Sequence, residues 1–263
     1  MNATTEQRCR AGEELTAAEI DELASLDVLS LGMLADEVRR ARFGDAVTYV
    51  RDAETRLTTL PAALDAAIAA VRGARAKTPK VIGFSLADLV DRQWGPLPDA
   101  LKQLKDAGLT AIAEAPIDRM VDLPGALQAA EQSGLPVLCL SLQKPWTASR
   151  RDYVLKVRSI IEQFPSITTV APLPREQSIA VPTTGYDDVR AVALARLALP
   201  AVKNIQVDWS QYGPKLAQVA LTFGANDLDR VSTIDDESLG RRRTSEEDVR
   251  RNVAAAGFRA VER

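Results

Sequence analysis

The sequence predicts an α/β fold, a partial or shortened TIM-type (β/α) barrel with a helical N-terminal extension. Three observations carry this expectation. From residue 47 onward, short β-prone runs alternate with longer amphipathic stretches. The starts of these runs are roughly 25 to 40 residues apart, the pitch of a βα unit. The first run is followed by Arg51-Asp52-Ala53-Glu54-Thr55, not by the glycine-rich phosphate loop that opens a Rossmann sheet.

Residues 1–46 form the predicted helical extension and residues 47–263 the barrel domain with its C-terminal helix. Thr16 with Glu19 has the spacing of a capping box, and Ile20, Leu23, Leu26, Leu31, Leu34 and Val38 give the helical apolar stripe that follows it. Residues 27–30 and Gly32 predict two short helices there, not one. The strand candidates are residues 47–50, 80–84, 110–113, 137–140, 167–170 and 204–207. Between them, residues 51–76 read as an alanine-rich helical stretch. Pro98 opens a helix that Gly108 stops, residues 150–164 form a helix ended by Pro165, and residues 186–199 form one stopped by Pro200. A last helix starts near Thr244, with Glu247 completing a capping box, and Gly257 ends it. The compact basic run Arg241-Arg242-Arg243 reads as a solvated loop, with anion binding as the alternative.

Composition excludes several mechanisms. The 263 residues contain no histidine, so a Ser-His-Asp triad, a Cys-His pair, a histidine zinc site and a two-histidine iron site cannot be built from this sequence. The two cysteines, Cys9 and Cys139, are too few for a four-ligand iron–sulfur cluster. Cys139 lies in the apolar run Pro136-Val137-Leu138-Cys139-Leu140 and reads as a buried small hydrophobe, while Cys9 reads as an exposed thiol. A net charge of −3 argues against general nucleic-acid binding. No apolar run approaches the roughly 18 residues of a membrane span, and the polar N-terminus lacks a signal-peptide core, so a cytoplasmic protein is expected.

The last third is the most specific. Thr184-Gly185-Tyr186-Asp187-Asp188-Val189-Arg190 and its continuation to residue 197 resemble a helix of the aminofutalosine-synthase branch of the radical-SAM family. That branch includes cyclic dehypoxanthinylfutalosine synthases and the synthases of the deazaflavin cofactor chromophore. Asn204-Ile205-Gln206-Val207-Asp208-Trp209 is similar to the penultimate strand of the branch. Residues 215–229, ending in Gly224-Ala225-Asn226-Asp227-Leu228-Asp229, resemble its most recognisable block, and Val261-Glu262-Arg263 fits its ending. Similarity over residues 14–50 and 97–109 is weaker. The resemblance covers about half the chain.

The resemblance implies a Cys-x3-Cys-x2-Cys loop just after residues 47–50, holding a [4Fe–4S] cluster that binds S-adenosylmethionine. The sequence has no such loop there, no glycine-rich S-adenosylmethionine contact near the next strand, and Arg230 where the branch usually has glycine. Reductive cleavage of S-adenosylmethionine needs both a low-potential cluster and a coordination site for the methionine moiety. The expectation is therefore a radical-SAM-like protein without cluster or S-adenosylmethionine, and without a metal site. It would act as a non-catalytic ligand-binding or accessory subunit, with kinship implying the futalosine route to menaquinone. The alternatives are a repurposed barrel enzyme using carboxylates, or a family enzyme that borrows a cluster from a partner. Expected partners are an intact radical-SAM homologue or a second copy, and a small polar or aromatic metabolite, with neither nucleic acid nor membrane. Six strands are also fewer than the family's barrel has, so the gap would be covered by residues 51–76, by the N-terminal helices or by another subunit.

In barrels of this kind functional residues gather at the carboxyl ends of the strands, which nominates Asp52, Ser85, Glu114, Ser141, Lys144 and Asp208. Glu114 and Asp208 are the candidates for acid–base catalysis. Lys144 reads as a solvated loop lysine or as a Schiff-base or anion-binding group. Asp208 is costly at a strand end unless solvated or paired, with Arg196 as one possible partner. Asn226, Asp227 and Asp229 either shape a turn after Gly224 or line the barrel mouth as ligand-binding residues. Trp209 either packs in the core or offers a stacking platform for a ligand ring.

Overall fold

The computed structural model describes residues 3–51, 55–176, 180, 182–232 and 245–263. Three helices come first: α1 (Ala3–Ala11), α2 (Ala17–Ser25) and α3 (Val28–Phe43). The capping box at α2 forms, with Glu19 N donating to Thr16 Oγ1 and Thr16 N donating to the Glu19 carboxylate at 2.7 Å. Asp27 caps α3 by accepting from Leu29 N and Ser30 N, so the helix break falls before Val28 and Gly32 lies within α3. The polar start of the chain is helix α1. Its Cys9 is 1% exposed, which corrects the expectation of an exposed thiol.

Among the described residues the sheet has nine strands, β1 (Ala46–Tyr49), β2 (Thr55–Leu57), β3 (Val81–Ser85), β4 (Ala111–Pro116), β5 (Cys139–Leu142), β6 (Thr169–Pro174), β7 (Asn204–Asp208), β8 (Asp227–Asp229) and β9 (Arg259–Glu262). Their order is β2-β3-β4-β5-β6-β7-β8-β1-β9, and every pairing is parallel. The helices between them are α4 (Leu64–Arg75), α5 (Leu86–Asp91), α6 (Leu97–Ala107), α7 (Leu123–Gln132), α8 (Arg150–Gln163), α9 (Gly185–Ala198), α10 (Trp209–Leu221) and α11 (Ser245–Ala255). Each predicted cap among them that is described forms. Pro98 lies in the first turn of α6 and Gly108 closes α6 at φ +114°; a capping box of Thr184 with Asp187, which is not among those predicted, opens α9. The predicted cap at Thr244 and the run Arg241 to Arg243 lie outside the described residues.

This is a partial TIM-type barrel, as the βα rhythm predicts, with more strands than the sequence suggests. Residues 51–76 are not one helix: β2 and a connection precede α4. The sheet ends at β2 on one side and β9 on the other, and no pairing joins them among the described residues. Of the N-terminal helices, α2 packs on α8 and α9, and α3 on α9 and, through Arg39 and Arg40, on Phe258 before β9. The core lies between strands and helices, where Ile82, Leu101, Leu104, Val154, Val170, Ile205 and Leu228 are fully enclosed. No helix among the described residues is long and apolar enough to cross a membrane.

Gly224 stops the chain after α10 at φ +102°, and a Cβ there would lie 2.8 Å from Arg196 Cβ and 3.4 Å from Ala35 Cβ. Gly224→Ala therefore combines a disfavoured backbone with overpacking, and is expected to destabilise by about 2 kcal/mol or more. Urea unfolding checks this, and a variant as stable as the parent contradicts it.

Candidate functional site

At the carboxyl ends of the strands, one guanidinium collects four acceptors. Arg175 follows β6 directly and its side chain is 5% exposed. Its Nε donates to Glu114 of β4 at 2.8 Å and its Nη1 to Asp208 of β7 at 3.2 Å. Its Nη2 donates to Gln206 Oε1 at 3.2 Å and to Asp229 of β8 at 3.3 Å. Arg56 of β2 ion-pairs with Asp229 from the other side. Arg230, next to β8, reaches Asp208 at 3.2 Å and Glu114 at 3.4 Å. Side chains from β2, β4, β7 and β8 can meet at one point only if the sheet curls, so this cluster fills the barrel interior.

Burial alone would raise the Asp229 carboxyl, but the guanidiniums of Arg56, Arg175 and Arg230 hold it below the usual carboxylate range. Burial alone would lower Arg175, yet Glu114, Asp229 and Asp208 raise it above an ordinary guanidinium. The centre is thus cross-paired. Above it opens a cavity of about 400 Å³, bordered by Arg56, Glu114, Arg175, Asp229 and Arg230. Phe84 (φ 66°) and Arg230 (φ 54°), two of the three described non-glycine residues with positive φ, border the same cavity. Backbone held in that region is costly and concentrates at ligand sites. Ser85 Oγ also borders it, buried and without a partner among the described residues.

The sequence candidates separate into two groups. Glu114, Asp208 and Asp229 converge on Arg175, and Ser85 joins them at the cavity. The others lie elsewhere. Asn226 precedes β8, at the amino end of the barrel, where its Oδ1 accepts from Arg196 Nη2 at 2.6 Å and from Ile205 N at 2.9 Å. Arg196 is therefore not the partner of Asp208. Asp227 is fully buried below the cavity, accepting from Gln206 Nε2 at 2.6 Å, Thr48 Oγ1 at 2.5 Å and Arg263 Nε at 3.1 Å. The turn expected at these residues is strand β8. Trp209 is 8% exposed in the core, at the start of α10, and does not border the cavity. Ser141 is buried with its hydroxyl unpartnered among the described residues. Lys144 is exposed, and only its backbone is engaged, donating to Asp118 at 2.8 Å. Asp52 lies outside the described residues. Sequence reasoning missed Arg56, Gln206 and Arg175 altogether and noted Arg230 only as a departure. The usable signal was position: Arg175 stands at a strand's carboxyl end.

The residues present do not fit the cluster that the resemblance implies. Cys9 is in α1 and Cys139 in β5, and both are buried and unbridged. Burial pushes the Cys9 thiol up to about 11 and Cys139 higher still, whereas a cluster needs thiolates. Among the described residues, no three His, Cys, Asp or Glu side chains are grouped to hold a metal ion.

Comparison with known proteins defines the class first. The fold is that of a radical-SAM-type barrel, and it superposes on methylornithine synthase with a TM-score of 0.70 at 13% identity, covering 98% of this chain and 97% of the other. The hydrogenase maturase HydG of Carboxydothermus hydrogenoformans gives 0.63 at 13% identity, covering 98% and 78%. Residues 162–263 match the family model for the CofH/MqnC C-terminal region. Among curated proteins, the chain is 32% identical over 174 residues to 5-amino-6-(D-ribitylamino)uracil–L-tyrosine 4-hydroxyphenyl transferase 1 of Methanosarcina barkeri, covering 54% of this chain and 45% of that protein. It is 29% identical over 201 residues to the transferase of that name in Methanopyrus kandleri, covering 64% and 54%. The chain thus spans about half the length of the curated relatives it matches. It is similar to CofH-like proteins of the radical-SAM type, and the relatives it matches are named as this transferase and not as aminofutalosine synthases.

Proposed function

We propose that this chain binds a small zwitterionic or polyhydroxylated metabolite in the charged barrel mouth, as a non-catalytic relative of CofH-like enzymes that holds no cluster itself and acts beside an intact homologue in the cytoplasm. The observation that carries this reading is the cross-pairing of Glu114, Asp208 and Asp229 by Arg175, Arg56 and Arg230. Carboxylates already engaged by guanidiniums are good recognition groups, because a ligand ammonium or carboxylate can exchange for one of the existing pairs. The two molecules in the relatives' name suit such a mouth: L-tyrosine carries both charges, and 5-amino-6-(D-ribitylamino)uracil carries a row of hydroxyls.

Calorimetric titration with each of the two tests this. Saturable binding of one is expected, weakened about tenfold by Arg230→Gln, the worth of one charge-assisted contact. No binding of either removes the proposal. Turnover that Glu114→Gln or Asp208→Asn abolishes while binding survives establishes the carboxylate enzyme in its place. Reconstitution with about four irons per chain overturns the cluster-less reading.

A further inference from the structure

A second cavity, of about 280 Å³, lies in the wall between α8 and α9. Its lining is largely apolar. Trp146 and Tyr153 stand edge to face, with ring centroids 5.7 Å apart and planes at 67°, and Leu142, Leu173 and Leu194 complete the walls. Of the polar groups that interrupt them, Arg150, Thr183 and Asp187 among them, two are decisive. Tyr153 is 7% exposed, and its hydroxyl bonds no described residue. Asp188 is 6% exposed and has the Thr183 hydroxyl as neighbour but no cationic partner among the described residues. Arg150, the nearest lining cation, is taken by Asp187 at 2.9 Å.

Asp188 has no evident structural duty. The α9 terminus is already capped by Thr184 and Asp187. A carboxyl removed from water without a counter-ion is costly, and buried charges are normally paired. Burial pushes Asp188 up, with Asp187 adding repulsion and Thr183 opposing it. The carboxyl also borders an adjoining space of about 400 Å³ beside Tyr212 and Leu216, so it stands at a neck with an apolar room on one side.

We propose that this cleft is a binding site for an arylalkylamine, its single ring seated against Trp146 and Tyr153 and its ammonium on Asp188. A cationic head with an apolar ring is the complement of these walls and this lone acid. The cations at its rim are engaged, Arg150 by Asp187 and Lys156 over the Trp146 ring, so the site differs in kind from the mixed-charge mouth and does not depend on it.

Phenethylamine is the probe, titrated into the full chain and followed by Trp146 fluorescence against a Trp146→Phe control. Saturable binding is expected, with L-phenylalanine at least tenfold weaker. Asp188→Asn should weaken phenethylamine at least tenfold, and Ala191→Phe, which puts a ring into the cleft, should abolish binding. Arg230→Gln should leave it unchanged. Absence of binding, equal binding by Asp188→Asn, or loss on Arg230→Gln overturns the inference, the last by moving the ligand to the mouth. Should Asp188→Asn fail to fold, Ala191→Phe decides.

Discussion

Arg175→Met is expected to lower the free energy of unfolding at neutral pH by about 3–5 kcal/mol, the usual cost of removing one partner from a buried charge network. For a domain of this size that is a fall in Tm on the order of 10 °C. The arginine donates to three carboxylates and one amide, and Asp208 and Asp229 are almost completely enclosed. Arg56 still serves Asp229, but Arg230 is about a third exposed and its pairs with Glu114 and Asp208 are screened by water. Methionine fills a similar volume, so the loss reports the stranded carboxylates and not a cavity. The pH dependence gives a second reading. In the parent, Asp229 has a depressed folded pKa, so its stabilisation is present above the ordinary carboxylate range and is lost as pH falls through the lowered folded value. Without Arg175, Asp229 loses one of its three guanidinium neighbours and its folded pKa rises from the depressed value. The deficit should then shrink as pH falls through about 4, where protonation relieves the stranded carboxylate. Urea unfolding of both proteins at pH 7 and pH 4 measures it, and an equal deficit at the two values rejects the explanation. Adding Asp208→Asn to the variant should restore part of the loss at pH 7.

What the sequence conveyed and what it hid have different physical origins. The six strands read from it are apolar runs flanked by capped amphipathic helices, and local chemistry suffices for those. The three it missed have no apolar run. β2 is Thr55-Arg56-Leu57, β8 is Asp227-Leu228-Asp229 and β9 is Arg259-Ala260-Val261-Glu262. A strand of two aspartates is stable only because Arg56, Arg175, Gln206 and Arg263 neutralise or bond it from distant positions. No window of sequence contains that compensation. The sequence predicts a strand at residues 167–170, whereas β6 runs on through Pro172 and Pro174, residues that strands ordinarily avoid, and that truncation concealed Arg175 at its true end. The carboxylates of the mouth were legible from the strand-end rule, since Glu114 and Asp208 close recognisable runs. The guanidiniums that decide what those carboxylates can do were not.

At the opposite end of the barrel, Arg196→Met is expected to cost about 2–4 kcal/mol, with Arg196→Lys no better. Arg196 is 1% exposed in the last turn of α9. It donates to Gly224 O at 2.8 Å, Asn226 Oδ1 at 2.6 Å, and Val202 O and Lys203 O at 3.4 Å, with its guanidinium 4.6 Å from the Phe43 ring centroid. One side chain thus ties α9 to the entries of β7 and β8, which fixes the register that delivers Asp208 and Asp229 to the mouth. No carboxylate balances it. Burial, with Arg42 and Arg39 adding repulsion, pulls its pKa below that of a free guanidinium. Methionine removes that desolvation cost but orphans the acceptors, and several unpaired buried oxygens outweigh one unburied charge. Lysine cannot span the same acceptors, because the planar five-donor fork is what reaches them, and it retains a buried charge. Since no carboxylate takes part, the deficit should be the same at pH 4 and pH 7, unlike that of Arg175→Met. The two variants, compared by urea unfolding under both conditions, separate a charge network at the carboxyl ends from a carbonyl clasp at the amino ends. A pH-dependent deficit in Arg196→Met, or rescue by lysine, would show that the clasp works through charge after all.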